Sequence, residues 1–268
     1  MEVFIIYAKE NLLNQLDQMS IDSKGTIIVH SSMKSIGEVE GGSDTVLDAF
    51  TEYMKDGLLV FPTHTWDVID AENPRFYVEE TPSHIGILTE LFRQRPGVIR
   101  SLHPTHSVGA LGSDAKEFTT GDEQFDTPAA RGSAWGKLLD RKAKILLVGV
   151  DLRRNTFIHG IEEWLDIPER MAGKDDREEL VTVLGDGTEI PVPSRRHISG
   201  ISNRYWKVEE LLAEKGAIEY AELGDARVLV CDTVLMVRYL TKMLEMDPNL
   251  FSDNEPLTDE FIENFNRL

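Results

Sequence analysis

Thr26-Ile27-Ile28-Val29 places four β-branched side chains in a row, running directly into the polar stretch His30-Ser31-Ser32-Met33-Lys34-Ser35-Ile36-Gly37. β-Branched residues are stiff at χ1 and fit a pleated surface, so an unbroken run of them reads as a buried strand. A helical pattern follows over 43–54, with Val46, Leu47, Phe50 and Met54 at helical spacing and Ser43 as the expected N-cap. Leu58-Leu59-Val60-Phe61 is a second buried strand. Strand, polar turn, helix and strand in that order point to a parallel α/β arrangement, whose ligands bind at the C-terminal ends of the strands. The loop after the first strand offers hydroxyls, backbone N–H groups and the Lys34 cation, which suits an anionic group such as a pyrophosphate. An ordinary strand-to-helix turn reads the same way, and the loop matches neither fixed nucleotide fingerprint.

The rest of the chain continues the alternation. Leu12, Leu13, Leu16 and Met19 share one face of a helix over 9–19, and Ile85, Leu88, Leu91 and Phe92 repeat helically over 83–95 before Pro96-Gly97. Val108-Gly109-Ala110-Leu111-Gly112 is a small-residue strand, and Lys144-Ile145-Leu146-Leu147-Val148-Gly149-Val150 reads most clearly of all as a central strand. Short helices are expected over 114–118, over 133–139 with Ser133 as cap, and over 155–164. Gly185-Asp186-Gly187 marks a hairpin, a helix is expected over 206–215, and strands near 218–222 and 228–231 lead to a helix that Asp232 caps. The tail is polar, with a closing helix from residue 257. The pattern indicates a single domain over 1–268, a three-layer α/β/α sandwich with a central mixed sheet and antiparallel pieces at one edge.

Composition narrows the function classes. The 268 residues are 41% hydrophobic, enough for a sizeable core, and carry a formal charge of −19. That balance argues against nucleic acid or a membrane surface as partner and favours a cationic small molecule, although a generic acidic cytosolic protein has the same composition. The single cysteine, Cys231, excludes an internal disulfide and a Cys-rich zinc site, and its apolar setting reads as a core thiol. The start of the chain, Met1-Glu2-Val3-Phe4-Ile5-Ile6-Tyr7, lacks the basic residues and cleavage site of a signal peptide, and no apolar run is long enough to span a bilayer. The expected compartment is the cytoplasm.

Three clusters after the strands could carry chemistry. In Asn155-Thr156-Phe157-Ile158-His159-Gly160-Ile161-Glu162-Glu163, helical spacing puts Asn155, His159 and Glu162 on one face and turns Glu163 toward solvent. A carboxylate beside a histidine raises its basicity and selects its tautomer. His103-Pro104-Thr105-His106-Ser107 combines two imidazoles with hydroxyls able to bond a developing oxyanion. Thr63-His64-Thr65 adds a third such loop. Each also reads as a structural turn. His103 with His106 and His159 with Glu162 would make four zinc ligands, but neither pair has the His-Glu-x-x-His spacing and Pro104 disfavours a helix there. No Gly-x-Ser-x-Gly elbow is present. No metal is expected.

Taken together, five motifs resemble the aminoglycoside 3-N-acetyltransferases in order and spacing. They are Val29-His30-Ser31-Ser32 through Gly37; Val60-Phe61-Pro62-Thr63-His64-Thr65; Thr81-Pro82-Ser83-His84-Ile85-Gly86; Arg100-Ser101 with His103 through Val108; and Leu147-Val148-Gly149-Val150 with Asn155 through His159 and Glu162. The resemblance implies an α/β/α fold distinct from that of the GCN5-related acetyltransferases, and direct transfer of acetyl from acetyl-CoA to an amine. The amine it implies is the 3-amino group of a 2-deoxystreptamine antibiotic. It makes His159 the general base, supported by Glu162 and Asn155, with Ser107 or Thr65 bonding the thioester carbonyl. CoA would meet His30, Ser31, Ser32, Lys34 and Ser35, the helix start at Ser83 and His84, and a cleft shaped by His103 and His106. The acidic loops over 67–80, 121–126 and 166–179 would face the acceptor, and family members are often dimers. Departures in the acceptor loops leave two alternatives: an acetyltransferase for another amine, and a catalytically silent CoA- or nucleotide-binding protein. A metal-dependent hydrolase is the third.

Overall fold

The computed structural model describes residues 5–267, so the first half of the Met1–Tyr7 stretch lies outside the described residues. In chain order the elements are β1 (Ile6–Tyr7), α1 (Lys9–Gln18), β2 (Thr26–Ser31), α2 (Met33–Ile36), β3 (Glu38–Val39), α3 (Gly42–Tyr53), β4 (Leu58–Pro62), β5 (Arg75–Tyr77), α4 (Ile87–Arg93), β6 (Ile99–Arg100), β7 (Val108–Leu111), α5 (Ala115–Thr119), α6 (Ala134–Asp140), β8 (Lys144–Val148), α7 (Thr156–Trp164), β9 (Val181–Val183), β10 (Glu189–Pro191), α8 (Glu209–Glu214), β11 (Ile218–Leu223), β12 (Ala226–Asp232), α9 (Thr233–Met246) and α10 (Asp259–Asn266). A long 3-10 helix, Ile201–Val208, leads into α8.

Seven strands form the central sheet in the order β11-β12-β8-β2-β4-β7-β6. β8, β2 and β4 run parallel to one another. The pairs β12–β11 and β7–β6 flank them antiparallel, one on each side. The sheet is therefore mixed, with antiparallel strands at both edges instead of the one expected.

Side-chain alternation splits the core in two. Ile28, Leu58, Val60, Ile145 and Leu147 face one cluster, closed by α6, α7 and α9. Ile27, Val29, Leu59, Phe61, Leu146 and Val148 face the other, closed by α1, α3 and α4. Both sheet faces are apolar, so both must be covered, which gives the three expected layers. Each large aliphatic or aromatic side chain buried this way contributes about 1.5–3 kcal/mol. Cys231 is buried in the first cluster, where desolvation pushes its thiol far up.

Several local expectations are corrected. The β9–β10 hairpin forms around Gly185-Asp186-Gly187 but pairs with β5 as a separate three-stranded sheet, off the main edge. The N-cap position of α3 is Gly41, ahead of Ser43. Ser133 stands at the N-cap of α6, yet its hydroxyl donates to the Ala130 carbonyl, and Asp122 accepts the Ala134 N–H at 2.7 Å instead. α4 begins at Ile87, four residues past Ser83. Among the described residues, no helix is long and apolar enough to cross a membrane.

Candidate active site

The parallel strands deliver their polar residues to one edge. His30 and Ser31 end β2, Pro62 ends β4 with Thr63 and His64 directly after it, and Val150 to Thr156 follow β8. β7 is antiparallel to β4, pairing Val108 with Pro62, so its entry residues His106 and Ser107 arrive at that same edge. Gly149 makes the close approach possible. Its φ is +65°, and a Cβ there would sit 2.2 Å from the Cβ of Ser35. The result is a cleft of about 720 Å³ whose wall includes His30, His64, His106, His159 and His197.

The bottom of the cleft is a hydrogen-bonded chain that the sequence spacing does not predict. Tyr205 of the 3-10 helix donates a short hydrogen bond to Glu162 Oε2, while its oxygen lies 2.7 Å from His159 Nδ1. Because the phenol hydrogen is given to the carboxylate, the phenol oxygen accepts from His159 Nδ1–H. His159 Nε2 then keeps its lone pair. Glu162 is 3.5 Å from His159, at ion-pair range, so the two share a face as expected but communicate through Tyr205. Arg170 Nε bonds the other Glu162 oxygen at 2.7 Å. Burial pushes the Glu162 carboxyl up, but His159, Tyr205 and Arg170 outweigh it and hold it below the usual range. Burial and the neighbouring Glu162 charge raise the Tyr205 phenol well above its ordinary value, so it stays protonated. Burial, then His197, lowers His159, against the opposing pull of Glu162 and Glu163.

A second pair lies alongside. His197 Nε2 is 2.5 Å from Glu163 Oε1, and the His197 ring stacks on His159 with centroids 4.2 Å apart and planes within 15°. Glu163, expected to face solvent, is 5% exposed. Beyond His197 the imidazoles continue through His106, at 5.5 Å, to His64, 4.6 Å further. Desolvation, first among the causes, holds His64 and His106 well below the ordinary histidine value and takes His30 and His103 to about 3. All four are neutral at physiological pH. Among the described residues, no group of three or more His, Cys, Asp or Glu side chains is arranged to hold a metal ion.

The other expected site residues divide sharply. His30, Ser31 and His106 line the cleft, and so do His84 and Gly86. Ser32, Lys34 and Ser35, at the cap and within the short helix α2, are not among the lining residues, and the Ser35 hydroxyl is tied to Ser32 and to the Gly149 carbonyl. Ser107 is fully buried and donates to the Thr63 carbonyl at 2.9 Å, while Thr65 donates to Pro104. These hydroxyls lock the loop after β4 to the loop before β7, and neither Ser107 nor Thr65 lines the cleft. Ser83 is buried against Thr89, and its N–H goes to Glu90. His103 accepts the N–H groups of Thr105 and His106 through Nδ1, bracing the turn behind His106. Asn155 reaches the cleft wall, but its Oδ1 caps α7 by accepting the Phe157 N–H, and its amide points to Met236.

The wall also holds residues that sequence reasoning missed. Trp66 stands on one side next to Asp67, residues 196–200 and Ser202 beside them, and Arg153 and Arg154 at the α7 end. Arg196 bonds the carbonyls of Trp66 and Ile69, tying two of these segments. Of the three acidic loops expected to face an acceptor, only Asp67 lines the cleft; Asp126 is instead paired with Arg177 and Arg195.

Residues 28–245 match the family described as aminoglycoside 3-N-acetyltransferase. The chain is 26% identical over 234 residues to aminoglycoside N(3)-acetyltransferase VII of Streptomyces paromomycinus, covering 80% of this chain and 74% of that protein. It is 29% identical over 172 residues to the SPbeta prophage-derived aminoglycoside N(3')-acetyltransferase-like protein YokD of Bacillus subtilis, covering 56% of this chain and under two thirds, 63%, of the relative. Among solved structures, AAC-IIIb binary with CoASH superposes with a TM-score of 0.79 at 22% identity, covering 90% of this chain and 97% of that one. AAC-VIa bound to sisomicin gives 0.73 at 23% identity, covering 90% and 98%. At that identity the likeness establishes a shared fold.

Proposed function

The chain belongs to the aminoglycoside 3-N-acetyltransferase family, and from that premise we propose that its cleft transfers acetyl from acetyl-CoA directly to an amine, with His159 as general base. The observation that carries this reading is that His159 lines the cleft with Nδ1 committed to Tyr205, which Glu162 and behind it Arg170 anchor, so that Nε2 is left as the acceptor. An amine attacks only through its lone pair, so a proton must leave nitrogen as the N–C bond forms. His159 Nε2 takes that proton, and Tyr205 with Glu162 stabilises the resulting imidazolium while the phenol stays neutral. The C–S bond then breaks, and the departing CoA sulfur receives a proton, leaving amide and free thiol.

The N-terminus of α7 faces the cleft through Asn155 and Thr156, and the positive end of its dipole favours negative charge there, although the Phe157 N–H is already bonded to Asn155. Ser31 and Thr156, both on the cleft wall, offer hydroxyl donors for the thioester carbonyl in place of Ser107. Arg154, exposed on the wall, suits the CoA phosphates.

Relatives named for aminoglycosides support a 2-deoxystreptamine acceptor with its 3-amino group as target. A second reading, an amine of lower charge, is favoured by one feature: Asp67 is the only carboxylate residue among the described residues that line the cleft. Both are tested by following thiol release from acetyl-CoA with gentamicin, apramycin and sisomicin beside simple monoamines. Release with an aminoglycoside and a product acetylated at the 3-amino group supports the first reading, and release with monoamines alone supports the second. CoA binding with no release across the panel overturns catalysis and leaves a silent CoA-binding protein.

A further inference from the structure

Two histidine–carboxylate pairs sit face to face at the bottom of the cleft, and only one can serve as a base. Their carboxylates are consecutive, Glu162 and Glu163, at the end of α7. The pairs are built differently. His197 contacts Glu163 directly, nitrogen to oxygen at 2.5 Å. His159 meets a neutral phenol, and the charge of Glu162 behind it is already taken by Arg170. Glu163 has no arginine or lysine partner among its contacts. It accepts the Ala129 N–H with the oxygen that meets His197, and its second oxygen is buried with no hydrogen bond. A buried carboxylate in that setting needs a cation, and His197 is the one in contact.

We propose that His197 is a positioning residue for the transfer: held as an imidazolium by Glu163, it stacks on His159 and keeps that ring neutral, with Nε2 free to accept the proton of the amine. The inference rests on the acetyl-transfer reading for its role, while the charge arrangement itself stands on the geometry. Two imidazolium rings 4.2 Å apart repel strongly in a dry site. A protonated His197 therefore discourages resting protonation of His159 and, after His159 has taken a proton from the amine, favours its release.

The groups facing the stacked pair are accounted for. From α7 come Glu162 and Glu163; from the 3-10 helix, Tyr205; from the loop after α7, Arg170. From the loops after β4 and before β7 come His64, His103 and His106, kept neutral by burial. None of them supplies a competing cation to Glu163.

Nitrogen-15 NMR of histidine-labelled protein tests this without any substrate, using His159→Asn and His197→Gln to assign the signals. At pH 7, His197 is expected to show two protonated nitrogens, and His159 a protonated Nδ1 with an unprotonated Nε2. A neutral His197 in the parent protein overturns the proposal. Glutamine at 197 can keep a donor near Glu163 but carries no charge. In that variant the His159 titration is expected to move up by about one pH unit, and the acid limb of kcat/KM with it, about a tenfold loss at the acid end. A lower kcat at all pH values, with both midpoints unmoved, assigns His197 a purely structural role and also overturns the proposal. If no amine is turned over, the NMR titration still decides the charge arrangement, so failure of the acetyl-transfer reading is seen separately.

Discussion

At the scale of single residues, the site is a set of imidazoles made different by their second nitrogen. His159 is held through Nδ1 by Tyr205, His103 through Nδ1 by backbone N–H groups, and His197 through Nε2 by Glu163. Only the first leaves an acceptor nitrogen on the cleft wall with a carboxylate one hydroxyl away. His159→Gln is expected to lower kcat/KM for amine acetylation by about 10²–10⁴-fold with little change in thermal stability; a variant retaining full thiol release would remove the base assignment. Tyr205→Phe takes away the hydroxyl that joins His159 to Glu162. A smaller loss of turnover is expected, together with a stability cost of about 1–3 kcal/mol for the buried groups left unpaired, read by denaturant unfolding. The pH dependence of the parent follows from burial. A base whose pKa lies below the ordinary 6.5 stays neutral further into acid, so the acid limb of kcat/KM should have its midpoint below that value. A midpoint above 6.5 would contradict the burial of His159.

At the scale of elements, the chemistry depends on where α7 starts. Helical spacing puts Asn155 on the reactive face; it acts one step back, fixing the first turn of the helix that carries His159 and both carboxylates. Asn155→Ala is expected to cost about 1 kcal/mol through the lost cap, lowering the melting temperature by a few degrees. Turnover should fall further than stability, because a small rotation of α7 moves Nε2 away from the amine. Equal turnover in the variant, measured well below its melting temperature, would show that the cap has no part in catalysis. The Ser107, Thr63 and Thr65 hydroxyls illustrate the converse. Their residue types suggest oxyanion donors, yet each closes a bond between neighbouring loops. Side-chain identity is legible in the sequence, whereas which partner it meets depends on loops far apart in the chain, as the Thr63–Ser107 pair shows with its separation of 44.

At the scale of the whole molecule, the same buried histidines tie stability to acid. His30 and His103 titrate near 3 in the folded protein and near 6.5 in the unfolded chain, and His64 and His106 are shifted in the same direction. The unfolded state therefore binds more protons as pH falls below 6.5, and the stability these groups contribute above that value is lost toward pH 3. Asp122 acts in the opposite sense. Burial, opposed by Ser101 and the Ala134 N–H, raises its carboxyl to about 6, and its contribution is lost as pH rises through that value. Four histidines outnumber one aspartate, so the melting temperature is expected to fall steadily between pH 6.5 and 4. A flat profile there would mean these rings are not buried in solution.

The sequence by itself determined the layers. Continuous apolar strands need cover on both faces, and the helices between them carry one apolar stripe each, so a three-layer α/β/α sandwich follows from solvation alone. It also marked the loops at the strand ends where polar residues collect, and picked out His159 and Glu162 through a spacing that helical geometry guarantees. Tertiary structure decided the rest. Tyr205 stands 46 positions from His159, His197 stands 34 from Glu163, and Arg170 lies in an irregular segment after α7. No periodicity links such residues. They meet because antiparallel strands at both edges, and a 3-10 helix packed under α7, bring distant loops to one cleft. Local spacing encodes which side chains share an element, and only packing between elements decides which hydrogen bond each of them is left free to make.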